Sequence, residues 1–169
     1  MKFFAKLLTV TIVVFTTTLS AHSQASANAN ASATIVTPIA IANAADMNFG
    51  NIAVIATGGT VILTPAGARS VTGDVTLPAV TGTVSAASFN VTGQANFTYS
   101  ITLPAAAITI TNGTDNMDVD TWTSTPTPTG TLDGGGAQTL NVGATLTVAG
   151  GESSGLYTGG PFTVTVNYN

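Results

Sequence analysis

Leu140-Asn141-Val142-Gly143-Ala144-Thr145-Leu146-Thr147-Val148 alternates apolar with small or polar residues. Successive side chains of an extended strand point to opposite faces. The segment therefore sets Leu140, Val142, Ala144, Leu146 and Val148 on one face and Asn141, Thr145 and Thr147 on the other. A helix with this pattern would scatter the apolar residues around its axis. The reading is a β-strand with one buried and one wet face, as in an antiparallel sheet.

The same period extends outward from this stretch. Phe162, Val164, Val166 and Tyr168 alternate with Thr163, Thr165 and Asn167, and Phe97, Tyr99, Ile101 and Leu103 alternate with Thr98, Ser100 and Thr102. Thr and Val dominate these runs, as β-branched residues do on a pleated surface. Weaker runs are Ile35–Ile41, Met47–Ile55, Thr60–Thr64, Ser70–Leu77, Val84–Val91, Ala107–Thr111 and Met117–Thr123. Turn residues fall between them, among them Gly58-Gly59, Pro65-Ala66-Gly67, Asn112-Gly113 and Gly159-Gly160-Pro161. Short strands with frequent turn signals predict an all-β antiparallel sandwich or barrel. Pro104-Ala105-Ala106-Ala107 offers a helical turn at most. Thr121–Gly136, rich in Thr, Pro and Gly, predicts a long connection. Its Trp122 breaks the inward phase of Met117 and Val119, which places it at a bulge or on the opposite face.

The start of the chain has a different character. Lys2 and Lys6 precede an apolar run, Leu7–Phe15, and then small residues, the layout of a cleaved secretory signal peptide. The run is too short to cross a bilayer as a helix, which takes about 20 residues. Cleavage is expected after Ser23, with 21 to 27 as the range. Gln24–Ala33 reads as a flexible leader of small residues, and 34–169 as a single β-sandwich domain. Localisation is then outside the cytoplasm, at the cell surface or beyond it, with the periplasm in transit.

Removing 23 of the 169 residues takes away Lys2, Lys6 and the only His, His22. The remaining charged groups are Arg69 and seven acids, a formal charge of −6, and the chain has no Cys. Such a surface cannot neutralise nucleic-acid phosphates. No thiol is present for a disulfide or a lipid anchor. Nucleophilic catalysis lacks a base to activate any of the abundant hydroxyls. A two-carboxylate glycosidase is left only Arg69 and Trp122 for company. The expectation is a non-enzyme without cofactors. Asp115, Asp118 and Asp120 supply the densest oxygen ligands, a weak calcium candidate whose spacing does not fit an EF-hand loop. The plainer reading of those acids is a solvated strand edge that discourages unwanted pairing.

Four separated stretches carry a resemblance: Ala44-Ala45-Asp46-Met47-Asn48-Phe49-Gly50-Asn51-Ile52; Phe89–Gly93 with Tyr99-Ser100-Ile101; Leu140–Leu146; and Gly155–Asn169. In this order they resemble a family of small secreted bacterial domains of unknown function, number 4402, from about Ala33 to Asn169. That family is similar to the pilin subunits of chaperone–usher fimbriae and to spore-coat-like proteins. Those share an early Phe-Gly, a Gly about fourteen residues before the end (here Gly155) and a next-to-last Tyr (here Tyr168). The resemblance implies an immunoglobulin-like, pilin-like β-sandwich from a Gram-negative bacterium. It further implies subunits joined when a strand of one completes the groove of the next. Two features depart from the pilin pattern: Gln24–Ala33 offers only Ala on its apolar phase, and the pilin cysteine pair is missing.

The leading expectation is thus a fimbrial or adhesive surface subunit, with itself or related subunits and a periplasmic chaperone and usher as partners. Ile35, Ile39 and Ile41 are the inserted or donated strand, and Phe162, Val164, Val166 and Tyr168 the pairing edge. A complete sandwich that binds a glycan or protein ligand through Trp122, Asp115 and Asp120 is the second reading. A small outer-membrane β-barrel is the third.

Overall fold

The computed structural model describes residues 24–169; residues 1–23, on which the signal-peptide expectation falls, lie outside the described part. The chain divides into Met1–Thr34 and Ile35–Asn169. In the described part of the first unit, residues 24–34 are exposed and form no strand.

The second unit is all-β. Its strands are β1 (Ala40–Ala45), β2 (Ala53–Leu63), β3 (Arg69–Thr76), β4 (Ala87–Thr92), β5 (Thr98–Thr102), β6 (Ile108–Thr111), β7 (Asn116–Thr125), β8 (Thr129–Thr131), β9 (Ala137–Val148), β10 (Thr158–Gly159) and β11 (Thr165–Tyr168). Every pairing is antiparallel. One sheet runs β1-β4-β9-β7-β6-β10, with β2 joining β9 and β3 joining β2; the other runs β11-β5-β8. The eight-stranded sheet curls into a half-barrel.

The strand at the centre of the larger sheet is the alternating stretch Leu140–Val148. All five of its apolar residues are buried. β7 follows one edge of β9. The other edge is shared: β4 pairs with Ala137–Val142 and β2 with Ala144–Val148. Gly143 falls between the two. A Cβ there would lie 2.2 Å from the Leu63 carbonyl oxygen, so only glycine lets β2 turn away across β9 at this point.

This division makes two cores. Val91, Leu140 and Val142 pack with Tyr99 and Val166 of the smaller sheet and with Leu132 and Val164, which flank its strands. Farther along β9, Leu146 and Val148 pack with Val61, Leu63, Val75, Val119 and Phe49. The three-stranded sheet contributes to the first core; the second rests on the concave face of the half-barrel.

β7 carries the bulge. Its register with β9 shifts between Asp120 and Thr123, and Thr121 has φ 49°. The shift moves the inward phase from Met117 and Val119 to Trp122 and Ser124. Trp122 consequently packs against both cores. The expected long connection over Thr121–Gly136 is corrected here: β7 continues to Thr125, and β8 occupies Thr129–Thr131. The expected strand from Ile35 is shortened, since β1 begins at Ala40.

Candidate functional site

Over the second core lies a cavity of about 1170 Å³. Ile108, Ile110, Met117, Val119, Leu146 and Val148, from β6, β7 and β9, form its apolar floor. One wall is the segment 43–54 between β1 and β2, and the other is the segment 152–162 around β10. β10 is paired only with β6. Asp46 and Glu152 are the charged lining residues, so the groove presents an apolar floor beneath an acidic, amide-rich rim.

Both walls are held by polar contacts. Asn48 pairs with Ser85 through reciprocal backbone bonds of 2.8 and 3.0 Å, and Ser85 Oγ donates to the Asp46 carbonyl at 2.7 Å. Arg69 Nη1 donates to the carbonyls of Phe49 (2.5 Å) and Asn51 (3.1 Å). The only cation among the described residues therefore fixes a groove wall. Asp74 accepts from the Thr57 hydroxyl at 2.6 Å, and this bond, with the Thr57 N–H, holds its carboxyl below the usual range. On the other wall, Asp115 Oδ2 accepts the Ser153 N–H at 2.8 Å, and Asn112 Nδ2 donates to the Ser153 carbonyl at 3.3 Å. The single proton of the Tyr157 hydroxyl is shared between Glu152 Oε2 (3.0 Å) and the Ser153 carbonyl (2.9 Å). Desolvation, then the bond to Glu152, pushes the Tyr157 phenol up to about 12.

The three isoleucines named from sequence have separate fates. Ile39 and Ile41 pack partly buried against the first core. Ile35 is 97 % exposed. At the other end of the chain, Val164 and Val166 are buried, and β11 pairs with β5 alone. Phe162 lies at the groove, tilted over Trp122 (centroids 4.5 Å apart) and edge-on to Phe89 (6.2 Å). Gly155 lies on the groove wall. Tyr168 is partly buried and hydrogen-bonded through its hydroxyl.

The candidate calcium ligands each accept a different hydrogen bond. Asp115 serves Ser153, Asp118 accepts from the Thr109 hydroxyl at 2.8 Å, and Asp120 from the Thr121 hydroxyl at 2.9 Å. Among the described residues no group of three or more metal-ligating side chains gathers at one point. Trp122, named for sugar stacking, lays its ring on Phe162, and its Nε1 donates to the Ala106 carbonyl at 3.3 Å.

Sequence reasoning did not find the groove, because Met47–Ile55 in one wall reads as a weak strand run and Gly159-Gly160-Pro161 in the other as a turn. The one signal available was the spacing of Gly150, Gly151, Gly155, Gly159 and Gly160, a concentration of glycine around a strand of only two residues.

The chain matches the family described as Domain of unknown function (DUF4402) over residues 39–168, and it belongs to that family. No curated protein and no solved structure matches it.

Proposed function

We propose that this member of the family is an exported, non-catalytic subunit of the cell surface, pilin-like in build, which assembles with copies of itself or with related subunits by strand addition. The observation that carries this reading is the groove of about 1170 Å³, floored by core side chains of the half-barrel. An extended segment with alternating apolar residues is the shape that such a groove accepts. Ile35 and Val36, exposed ahead of β1 and on opposite faces of an extended chain, each supply one apolar side chain to a candidate segment. In this reading the packing of β11-β5-β8 on β4 and β9 is the immunoglobulin-like part of the fold, and the half-barrel is the part left open for a neighbour. A periplasmic chaperone and an usher would guard and export the subunit.

Chemistry supports the non-catalytic part. Arg69 is the one basic side chain of the described residues. Asp74, Asp115 and Asp133 are held below the usual carboxylate range by hydrogen bonds, the opposite of what a general acid needs. Phe162 lies against one face of Trp122, which leaves the glycan reading less ring surface to stack on. The barrel reading meets an open sheet, in which β1, β3 and β10 each pair on one edge.

The test uses the exported chain from Gln24 onward, examined for a heat-labile ladder in mild detergent. Ile35→Asp is expected to abolish the ladder and to change stability by no more than about 0.5 kcal/mol, because the residue is exposed. A chain that stays monomeric at every concentration, or a ladder untouched by Ile35→Asp, defeats the proposal.

A further inference from the structure

The segment Gly150–Gly159 is built as a strap. Its two ends are pinned by glycines against backbone: a Cβ on Gly150 would lie 2.0 Å from the Ala56 carbonyl oxygen, and one on Gly159 would lie 2.2 Å from that of Thr109. Between them the conditions reverse. Gly151 (φ +80°) meets nothing within 4 Å, and Gly155 meets only the Asn112 side chain at 3.6 Å. Leu156 is exposed. The middle of the strap is therefore fastened by few contacts, and they converge on one residue. Ser153 gives its N–H to Asp115, and its carbonyl receives the Asn112 amide and the Tyr157 hydroxyl. Asn112 and Asp115 belong to the turn between β6 and β7, outside the groove lining, while residues 152–162 form the groove wall.

We infer that this strap is a gate on the assembly groove, closed by the latch from Asp115 and Asn112 onto Ser153 and opened when that latch lets go. The inference rests on the groove being the assembly site. Releasing Ser153 frees the strap between two fixed ends, with glycines at 151 and 155 to absorb the backbone change. A latch of this kind lowers apparent affinity by the fraction of molecules that are closed. With the latch made the strap stands as a wall that narrows the groove; release would widen it for the segment of a neighbouring subunit.

The experiment measures binding of a fluorescent peptide, residues 24–41 of this chain, to the chain from Gln24 onward by anisotropy. Asp115→Ala removes the carboxylate latch, and apparent affinity is expected to rise about three- to tenfold, the range of one typical net hydrogen bond. The lock uses Asn112→Cys with Gly155→Cys. A Cβ at 155 would sit 3.6 Å from that of Asn112, within the span of a disulfide, and no native Cys interferes. The oxidised lock is expected to bind the peptide at least tenfold more weakly than the same protein after reduction. Equal affinity in the oxidised, reduced and Asp115→Ala proteins would overturn the gate and leave the groove standing. Absence of peptide binding in all of them would overturn the groove reading, and the gate with it.

Discussion

The Tyr168 hydroxyl donates to the Thr37 carbonyl at 2.8 Å, across 131 residues of sequence. The same oxygen accepts the Gln94 N–H at 2.5 Å, and Gln94 in turn accepts the Thr37 N–H through its side chain at 3.2 Å. The ring stands edge-on to Phe97, with centroids 5.6 Å apart. One side chain near the end of β11 thus joins the segment entering β1, the β4–β5 turn and the smaller sheet. The pairing of β1 with β4 begins just beyond this tie, at Ala40.

Tyr168→Phe keeps the ring and removes both bonds. The Gln94 N–H loses its partner in a part-buried site, while the exposed Thr37 carbonyl can turn to water, so the expected cost is about 1–2 kcal/mol. The urea midpoint should fall with an unchanged slope, because the surface exposed on unfolding is the same. An unchanged midpoint would mean that the hydroxyl ties nothing together.

Gly93 lies against the same hydroxyl: a Cβ on it would sit 2.1 Å from Tyr168 Oη. Gly93→Ala is therefore expected to destabilise by about 2–4 kcal/mol through overpacking. In the Tyr168→Phe background the clashing oxygen is gone, and the cost of Gly93→Ala should drop by at least about 1 kcal/mol. A double-mutant cycle of urea unfolding measures that coupling. Strict additivity would show that the close approach has no energetic consequence.

The β7 bulge offers a contrasting pair of substitutions. Trp122→Ala strips the contact with Phe162 and a wedge between both cores, with an expected loss of about 2–4 kcal/mol. Thr121→Gly acts in the other direction. A β-branched residue at φ 49° is strained, and glycine relieves the strain at the cost of a more flexible unfolded chain. The expected result lies between neutral and about 1 kcal/mol of added stability. A loss comparable to that of Trp122→Ala would show that the Thr121 side chain, and not its backbone, shapes the bulge.

These relationships show where the sequence was legible. Leu140–Val148 and Phe162–Tyr168 could be read because each buries one face, and the period of two follows from that burial. Ile35–Ile41 has the same pattern, yet only Ala40 and Ile41 join a ladder. Thr37 is held by Gln94 and Tyr168 side chains, and alternation cannot distinguish such a tie from sheet pairing. Thr121–Gly136 looked like a connection because Thr, Pro and Gly mark turns. The bulge returns Trp122 and Ser124 to the inner face, and Ser124 Oγ donates to the Pro126 carbonyl at 2.8 Å, so the strand continues. The groove was hidden for a different reason. Its walls come from segments about 100 residues apart, and its fastening joins Asp115 to Ser153, 38 positions on, through a backbone N–H that any residue but proline would offer.

Acid should weaken the fold, and Asp133 provides the cleanest measure. Its Oδ1 accepts the N–H groups of Ala137 (3.0 Å) and Gly135 (2.8 Å), and these bonds hold its carboxyl below the usual carboxylate range. Thr57 does the same for Asp74, and Ser153 for Asp115. Each group prefers its charged form more strongly in the folded chain than in the unfolded one. The stability this gives is fully present above the unfolded carboxylate pKa and is lost as pH falls through the lower folded values. Relief of the net negative charge on acidification pushes the other way, since among the described residues seven acids face one Arg. Comparing wild type with Asp133→Asn removes that common contribution. The urea midpoint of the wild type should hold steady down to about pH 5 and decline below about pH 4, and that of Asp133→Asn should start lower and decline less. Parallel acid profiles for the two proteins would show that the Gly135 and Ala137 N–H groups do not favour the Asp133 charge.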